Sequence, residues 1–121
     1  MFKYSQSTGA LDDANETFLG RGYSGFGPGK NNAEMQNVLD VGPIPQGQYT
    51  INPPVDTEEH GPYVLALVPN EWNEMFGRSG FLIHGDSVNN PGMASKGCII
   101  LARPIREQIW NSGDRSLAVV I

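Results

Sequence analysis

Apolar positions along the chain fall in short runs, and long helical stripes are absent. Tyr63 to Val68 (YVLALV) is the most continuous run, which predicts a strand covered on both faces near the middle of a sheet. Phe81-Leu82-Ile83, Ile99-Ile100-Leu101 and Leu117 to Ile121 read the same way, the last inside the sheet. Gln48 to Ile51 is entered through Gly47 after a Pro-Ile-Pro segment and predicts another strand. Met1 to Tyr4 and Thr17 to Leu19 predict a pair of strands making a hairpin. Helical spacing is brief. Asn32 caps one or two turns through Val38, and Asn70 to Gly77 predicts a short helix with Trp72, Met75 and Phe76 on one face. Pro104 and Gly113 bracket a third helix, with Ile105, Ile109 and Ser112 as its buried stripe. Pro53 to Gly61 reads as an acidic loop in which His60 is solvated.

Composition sharpens this pattern. Hydrophobic residues are 39% and charged residues 17%, against 15 glycines and 9 prolines, a mixture suited to short strands joined by tight turns. The expectation is one mainly β domain over residues 1–121, a sandwich or barrel-like sheet with two or three short helices. A chain of 121 residues can build such a core without disulfide or metal staples. Net charge is −5 and the isoelectric point is near 4.8, with no basic run, which excludes binding to a nucleic-acid backbone. No apolar run reaches the length of a membrane span, and the N-terminal MFKYSQSTGALDD lacks the apolar core of a signal peptide. A substrate outside the cytoplasm would therefore require another route of delivery.

The chemistry concentrates in FLIHGDSVNNPGMASKGCIIL, Phe81 to Leu101. His84 ends one apolar run, and Cys98, the single cysteine, opens the next. Thirteen residues rich in Ser, Asn, Pro and Gly separate them. A lone cysteine is most often a small buried hydrophobe, and a lone histidine is most often structural. Held at neighbouring strand ends, the two would instead pair a nucleophile with its base, because a thiol stays protonated at neutral pH until an imidazole takes its proton. Gly97 allows the sharp turn before the sulfur. Asp86 shares a face with His84 and orients that imidazole, binds substrate through its carboxylate or starts an Asx turn. His60, His84, Asp86 and Cys98 lack any recognised zinc-ligand spacing, and no cofactor motif is present. GRGYSGFGPGKNN, residues 20 to 32, lacks the pattern of a phosphate loop. Tyr23 and Phe26 are then aromatics that pack on the core or rim a cleft.

At His84 and at Ser95-Lys96-Gly97-Cys98-Ile99 the chain resembles the L,D-transpeptidase (YkuD-type) catalytic domains, whose signature is a histidine, a loop and Ser/Thr-His-Gly-Cys. It is most similar to the small Tlde1-type domains of type VI secretion effectors that attack peptidoglycan, which share the His-Gly-Asp and a relaxed Ser-x-Gly-Cys. GFGPGKNNAEMQNVLDVGPIPQGQYTI adds a second similar stretch, so the resemblance spans roughly residues 20 to 102. It implies a YkuD-like fold and a Cys98 thioester formed on tetrapeptide stems with His84 as base and the Gly85 carbonyl orienting it. Carboxypeptidase action, D-amino-acid exchange and crosslinking are the outcomes open to such an enzyme. The resemblance also implies action in the periplasm of a target bacterium, an immunity protein and a secretion-apparatus component as partners.

Backbone N–H groups of Gly97 and Cys98, with Ser95 or Lys96, are the expected oxyanion donors. Lys96 replaces the family's usual histidine, and brings a positive charge to the oxyanion, depresses the thiol pKa or points into solvent. Arg21, Arg78 and Lys96 are candidates for the stem's carboxylates, and Tyr23 is a further substrate-binding candidate. The other classes of reading are a non-enzymatic secretion- or phage-associated binding module and a cysteine amidase of other specificity. An imidazole-paired thiolate would react with iodoacetamide at pH 6, and a structural thiol would not.

Overall fold

The computed structural model describes all residues, 1–121. Ten strands form in chain order: β1 Phe2–Ser5, β2 Ala10–Asp12, β3 Phe18–Arg21, β4 Tyr23–Ser24, β5 Gly47–Ile51, β6 Val55–Thr57, β7 Gly61–Pro69, β8 Leu82–His84, β9 Ile99–Ile100 and β10 Ser116–Val120. One α-helix, α1, covers Arg103–Asn111, and single 3₁₀ turns lie at Gly27–Gly29 and Ala33–Met35. No helix is long and apolar enough to cross a membrane. The architecture is the mainly β single domain that the run lengths predict.

The strands follow the order β3-β2-β1-β10-β5-β7-β8-β9-β4, with β6 also paired to β7. The two ends of that order, β3 and β4, are separated in sequence by Gly22 alone. Residues 18–24 therefore pair with β2 at one end of the sheet and β9 at the other, closing it into a barrel-like body. Closure demands a residue without a side chain at the crossing. A Cβ on Gly22 would stand 1.7 Å from the Ile100 carbonyl oxygen, and its N–H donates to Gly9 at 2.8 Å.

Alternation along the strands fills the interior. Phe2 and Tyr4 of β1 register with Leu117 and Val119 of β10, and Leu117 with Tyr49 of β5, so one inward-facing layer runs across three strands. β7 is the longest strand and pairs with β5, β6 and β8; its Val64, Leu65 and Leu67 are buried. Each fully buried Leu or Ile contributes about 2 kcal/mol to this core. α1 lies against β7 and β8 and buries Ile109.

Four local expectations are corrected. The first two strands do not pair with each other, because Ala10–Asp12 forms an intervening strand that pairs with both. Asn70 to Gly77 makes turns in place of a helix. Asn73 Oδ1 accepts from the Gln48 N–H and its Nδ2 donates to the Gln48 carbonyl, pinning the segment to β5, and Phe76 takes φ +56°. Trp72, 73% exposed, faces solvent. The acidic segment after Pro53 contains β6, hairpinned onto β7. On α1, Ser112 is exposed and Arg106 takes the buried place one turn before Ile109.

Candidate active site

β8 and β9 are parallel neighbours, with Ile83 opposite Ile99 and His84 opposite Ile100. Paired positions of a parallel ladder share a face, and alternation carried back from Ile100 puts Cys98 on that face too. His84 and Cys98 accordingly line one open cleft of about 950 Å³. The apolar runs do the positioning: Ile83 and Ile99 are fully buried and anchor the two strand ends from below.

His84 is 3% exposed, and its Nδ1–H donates to the Gly85 carbonyl at 2.8 Å. That bond selects the tautomer whose Nε2 carries the lone pair, and this Nε2 is buried without a partner. Burial pushes the imidazole below its ordinary pKa against the Gly85 bond, and the charges of His60 and Arg106 add to the shift against Asp86. Cys98 Sγ lies 4.0 Å from the Gly80 carbonyl, and no hydrogen bond joins it to His84. Burial raises the thiol above its ordinary value against a bond from Leu82, and Glu59 adds to the rise against Arg78. The resting pair is a neutral thiol beside a neutral imidazole. Burial thus works against the imidazole-paired thiolate that would react at pH 6, since both groups lose more from desolvation as ions than nearby charges restore.

The loop between them is tied by side chains that the sequence had marked for substrate. Asp86 accepts from the Tyr23 hydroxyl at 2.5 Å and from the N–H groups of Ser87 and Gly92, and it makes no bond to His84. Burial raises its carboxyl, and the bonds from Tyr23, Gly92 and Ser87 with the nearby Lys30 charge outweigh this and lower it overall. The Tyr23 hydroxyl also accepts from the Ala94 N–H at 3.0 Å. Asp86 and Tyr23 thus shape the loop, and Gly85 is the orienter of the imidazole. Ser95 is fully buried; its Oγ donates to the Cys98 carbonyl and accepts the N–H groups of Gly25 and Gly97. The Gly97 N–H is therefore committed inside the loop and is not free for an oxyanion, a correction shared by Ser95. Ser24 extends the brace, donating to the Gly97 carbonyl at 2.8 Å and accepting from Ile44 N–H at 2.9 Å. Lys96 is exposed and lines the cleft.

Arg78 and Arg21 leave the list of groups that face the cleft. Arg78 is 5% exposed, and its two terminal nitrogens donate to the carbonyls of Gln36, Pro43, Gly42 and Lys96. It braces the loop from behind. Arg21 lies over Phe18 on β3 and does not line the cleft. In their place the fold brings Glu59, His60, Arg103 and Arg106 to the cleft wall. His60 corrects the solvated-loop reading: its ring lies 4.4 Å from that of His84, tilted by 33°. No sequence spacing betrays it, because the approach depends on the β6–β7 hairpin turning beside the end of β8. Nowhere are three or more His, Cys, Asp or Glu side chains gathered as metal ligands would be.

A family model described as a Tlde1 domain matches residues 19–120, a stretch that takes in every cleft residue named above. No curated protein matches the chain.

Proposed function

The chain belongs to the Tlde1-domain family, a type VI secretion effector family, and on that premise we propose that it cleaves or remodels peptidoglycan stems with Cys98 as nucleophile. The observation that carries this reading is that Cys98 and His84 line one cleft, the imidazole fixed at Nδ1 by Gly85 and its Nε2 left without a partner. In the proposed reaction His84 Nε2 takes the thiol proton as Sγ attacks the carbonyl of the third stem residue. The C–N bond to D-alanine breaks, the imidazolium returns its proton to the leaving amine, and a Cys98 thioester remains. Water, activated by the same Nε2, frees the shortened stem; a D-amino acid in its place gives exchange.

The oxyanion needs donors other than the Gly97 N–H, which Ser95 already holds. Lys96, on the cleft wall, supplies a positive charge in this reading. A missing oxyanion donor costs about 3 kcal/mol of barrier, so this contribution is measurable. Arg103 and Lys96 are the exposed cations of the cleft wall and the groups proposed to meet the stem's carboxylates. Delivery into the periplasm of a target cell, and an immunity partner that neutralises the domain, follow from the effector reading and are proposed with it.

The test is mass spectrometry of purified tetrapeptide muropeptides incubated with the protein. Loss of D-alanine is expected from the wild type, and Cys98→Ala and His84→Ala are each expected to stop it. Release that persists in Cys98→Ala would end the proposal.

A further inference from the structure

His60 has no role in the reaction as written, yet the fold places it against the proposed base. Its ring centroid stands 4.4 Å from that of His84, at the close limit of aromatic pairs, which begins at about 4.5 Å. The approach is built: the His60 backbone N–H donates to Thr57 Oγ1 at 2.8 Å, fixing the hairpin tip, and its Nε2 lies 3.8 Å from Glu59 Oε1. His60 is half-buried, while His84 beneath it is 3% exposed. A single hydrogen bond from Nδ1 to Gly85 fixes the tautomer but leaves the ring free to tilt about that bond. A second ring on its face removes this freedom and keeps water off the imidazole.

We propose that His60 is a positioning residue for His84: its ring holds the neutral imidazole on the Gly85 carbonyl and keeps Nε2 available as the acceptor for the thiol proton. The assignment of Nε2 to that proton rests on the enzymatic reading above; the clamping of the ring does not. The charged and titratable groups around the pair are Glu59 on the hairpin, Asp86 after β8, Arg106 on α1 and Cys98 before β9. His60 and Arg106 both oppose a positive charge on His84, and Asp86 favours one.

The chain has only two histidines, so imidazole spectra can be read without ambiguity. The experiment is ¹⁵N–¹H NMR of histidine-labelled protein from pH 4.5 to 8, on the wild type, His60→Ala and His60→Phe, each checked for a native amide spectrum. Wild-type His84 is expected as the Nδ1–H tautomer. In His60→Ala the tautomers should mix and the midpoint of His84 should rise by about half a pH unit or more, as a desolvating ring is lost. His60→Phe should keep the tautomer, because the ring face remains. His84 signals in folded His60→Ala that keep the wild-type tautomer and midpoint would overturn the proposal, and His60→Phe decides the matter if the alanine variant does not fold. A parallel assay of D-alanine release is expected to show kcat about tenfold lower in His60→Ala with KM unchanged. A wild type that releases nothing would remove the enzymatic reading, and the spectra would still decide the clamp.

Discussion

The Tyr23 hydroxyl donates to the Asp86 carboxylate at 2.5 Å across 63 residues of sequence, joining the strand that closes the sheet to the residue after the Gly85 orienter. One phenol thereby anchors both ends of the loop, since the same oxygen accepts from Ala94 N–H. Tyr23→Phe keeps the ring and loses both bonds. It is expected to cost about 1 kcal/mol, or about 4 °C of melting temperature. Amide exchange of residues 87 to 97 should quicken while the core strands stay protected. Unchanged exchange in that loop would mean that the bond is not its anchor.

The same tyrosine predicts an alkaline limb of stability. Burial, and then the bond to Asp86, push its pKa up to about 12 from the usual 10. A folded-state value above the unfolded one stabilises the fold fully below pH 10, and that share is lost as pH rises towards 12. Burial raises Tyr4 and Tyr49 as well, so they lose stability in the same direction. Melting temperatures measured from pH 8 to 12 should fall above pH 10, and Tyr23→Phe should soften the fall.

Arg78 gives a prediction opposite to a substrate role. Two guanidinium nitrogens serve four carbonyls at 2.6 to 3.2 Å behind the Cys98 loop, so Arg78→Lys cannot replace the planar fork. Urea unfolding should show a loss of about 3 kcal/mol, because buried carbonyls are left unpaired. If Arg78 met substrate instead, Arg78→Lys would raise KM and leave stability intact.

These residues mark how far the sequence could be read. Strand runs such as Tyr63–Val68 and Leu117–Ile121 were legible because short β-prone apolar runs announce a strand, although Val68, Val120 and Ile121 at their ends are exposed and only the inward residues are buried. His84 and Cys98 were legible because strand ends and a Gly-rich loop announce themselves locally. His60 and Arg106 were not, since their places depend on strand register and on which face of α1 meets the sheet, and neither is fixed by nearby residues. Arg78 and Ser95 looked like surface chemistry because a buried polar group bonded to loop carbonyls or amides resembles a free one in sequence. Asn70–Gly77 had helical spacing, and the amide of Asn73 overruled it with two bonds to β5.

The neutral resting pair sets the pH dependence of the proposed reaction. Activity needs the imidazole unprotonated and the thiol proton in place to be taken. With His84 below 6.5 and Cys98 above 9.0, kcat/KM for D-alanine release should plateau from about pH 7 to 9 and fall on either side. Iodoacetamide should alkylate Cys98 slowly at pH 6, with rates climbing only above pH 9. Fast alkylation at pH 6 would reveal a thiolate–imidazolium pair and contradict the neutral one.

Gly97 carries the last prediction, because two separate constraints meet there. Its φ of +134° lies where L side chains are strained. A Cβ would also stand 2.6 Å from Arg78 Nη2 and 2.8 Å from Phe81 Cε1. Arg78 cannot yield cheaply, since that nitrogen holds the carbonyls of Gly42 and Lys96. Gly113 supplies the comparison: its φ is +82°, with nothing within 4 Å of an added Cβ. Gly113→Ala should cost about 1 kcal/mol from the backbone alone. Gly97→Ala should cost about 3 kcal/mol, and it should lower kcat further than its stability explains, because the shift propagates to the sulfur one residue on. Equal losses in the two variants, by urea unfolding, would mean that the loop gives way around the methyl and that Arg78 does not hold Cys98 in place.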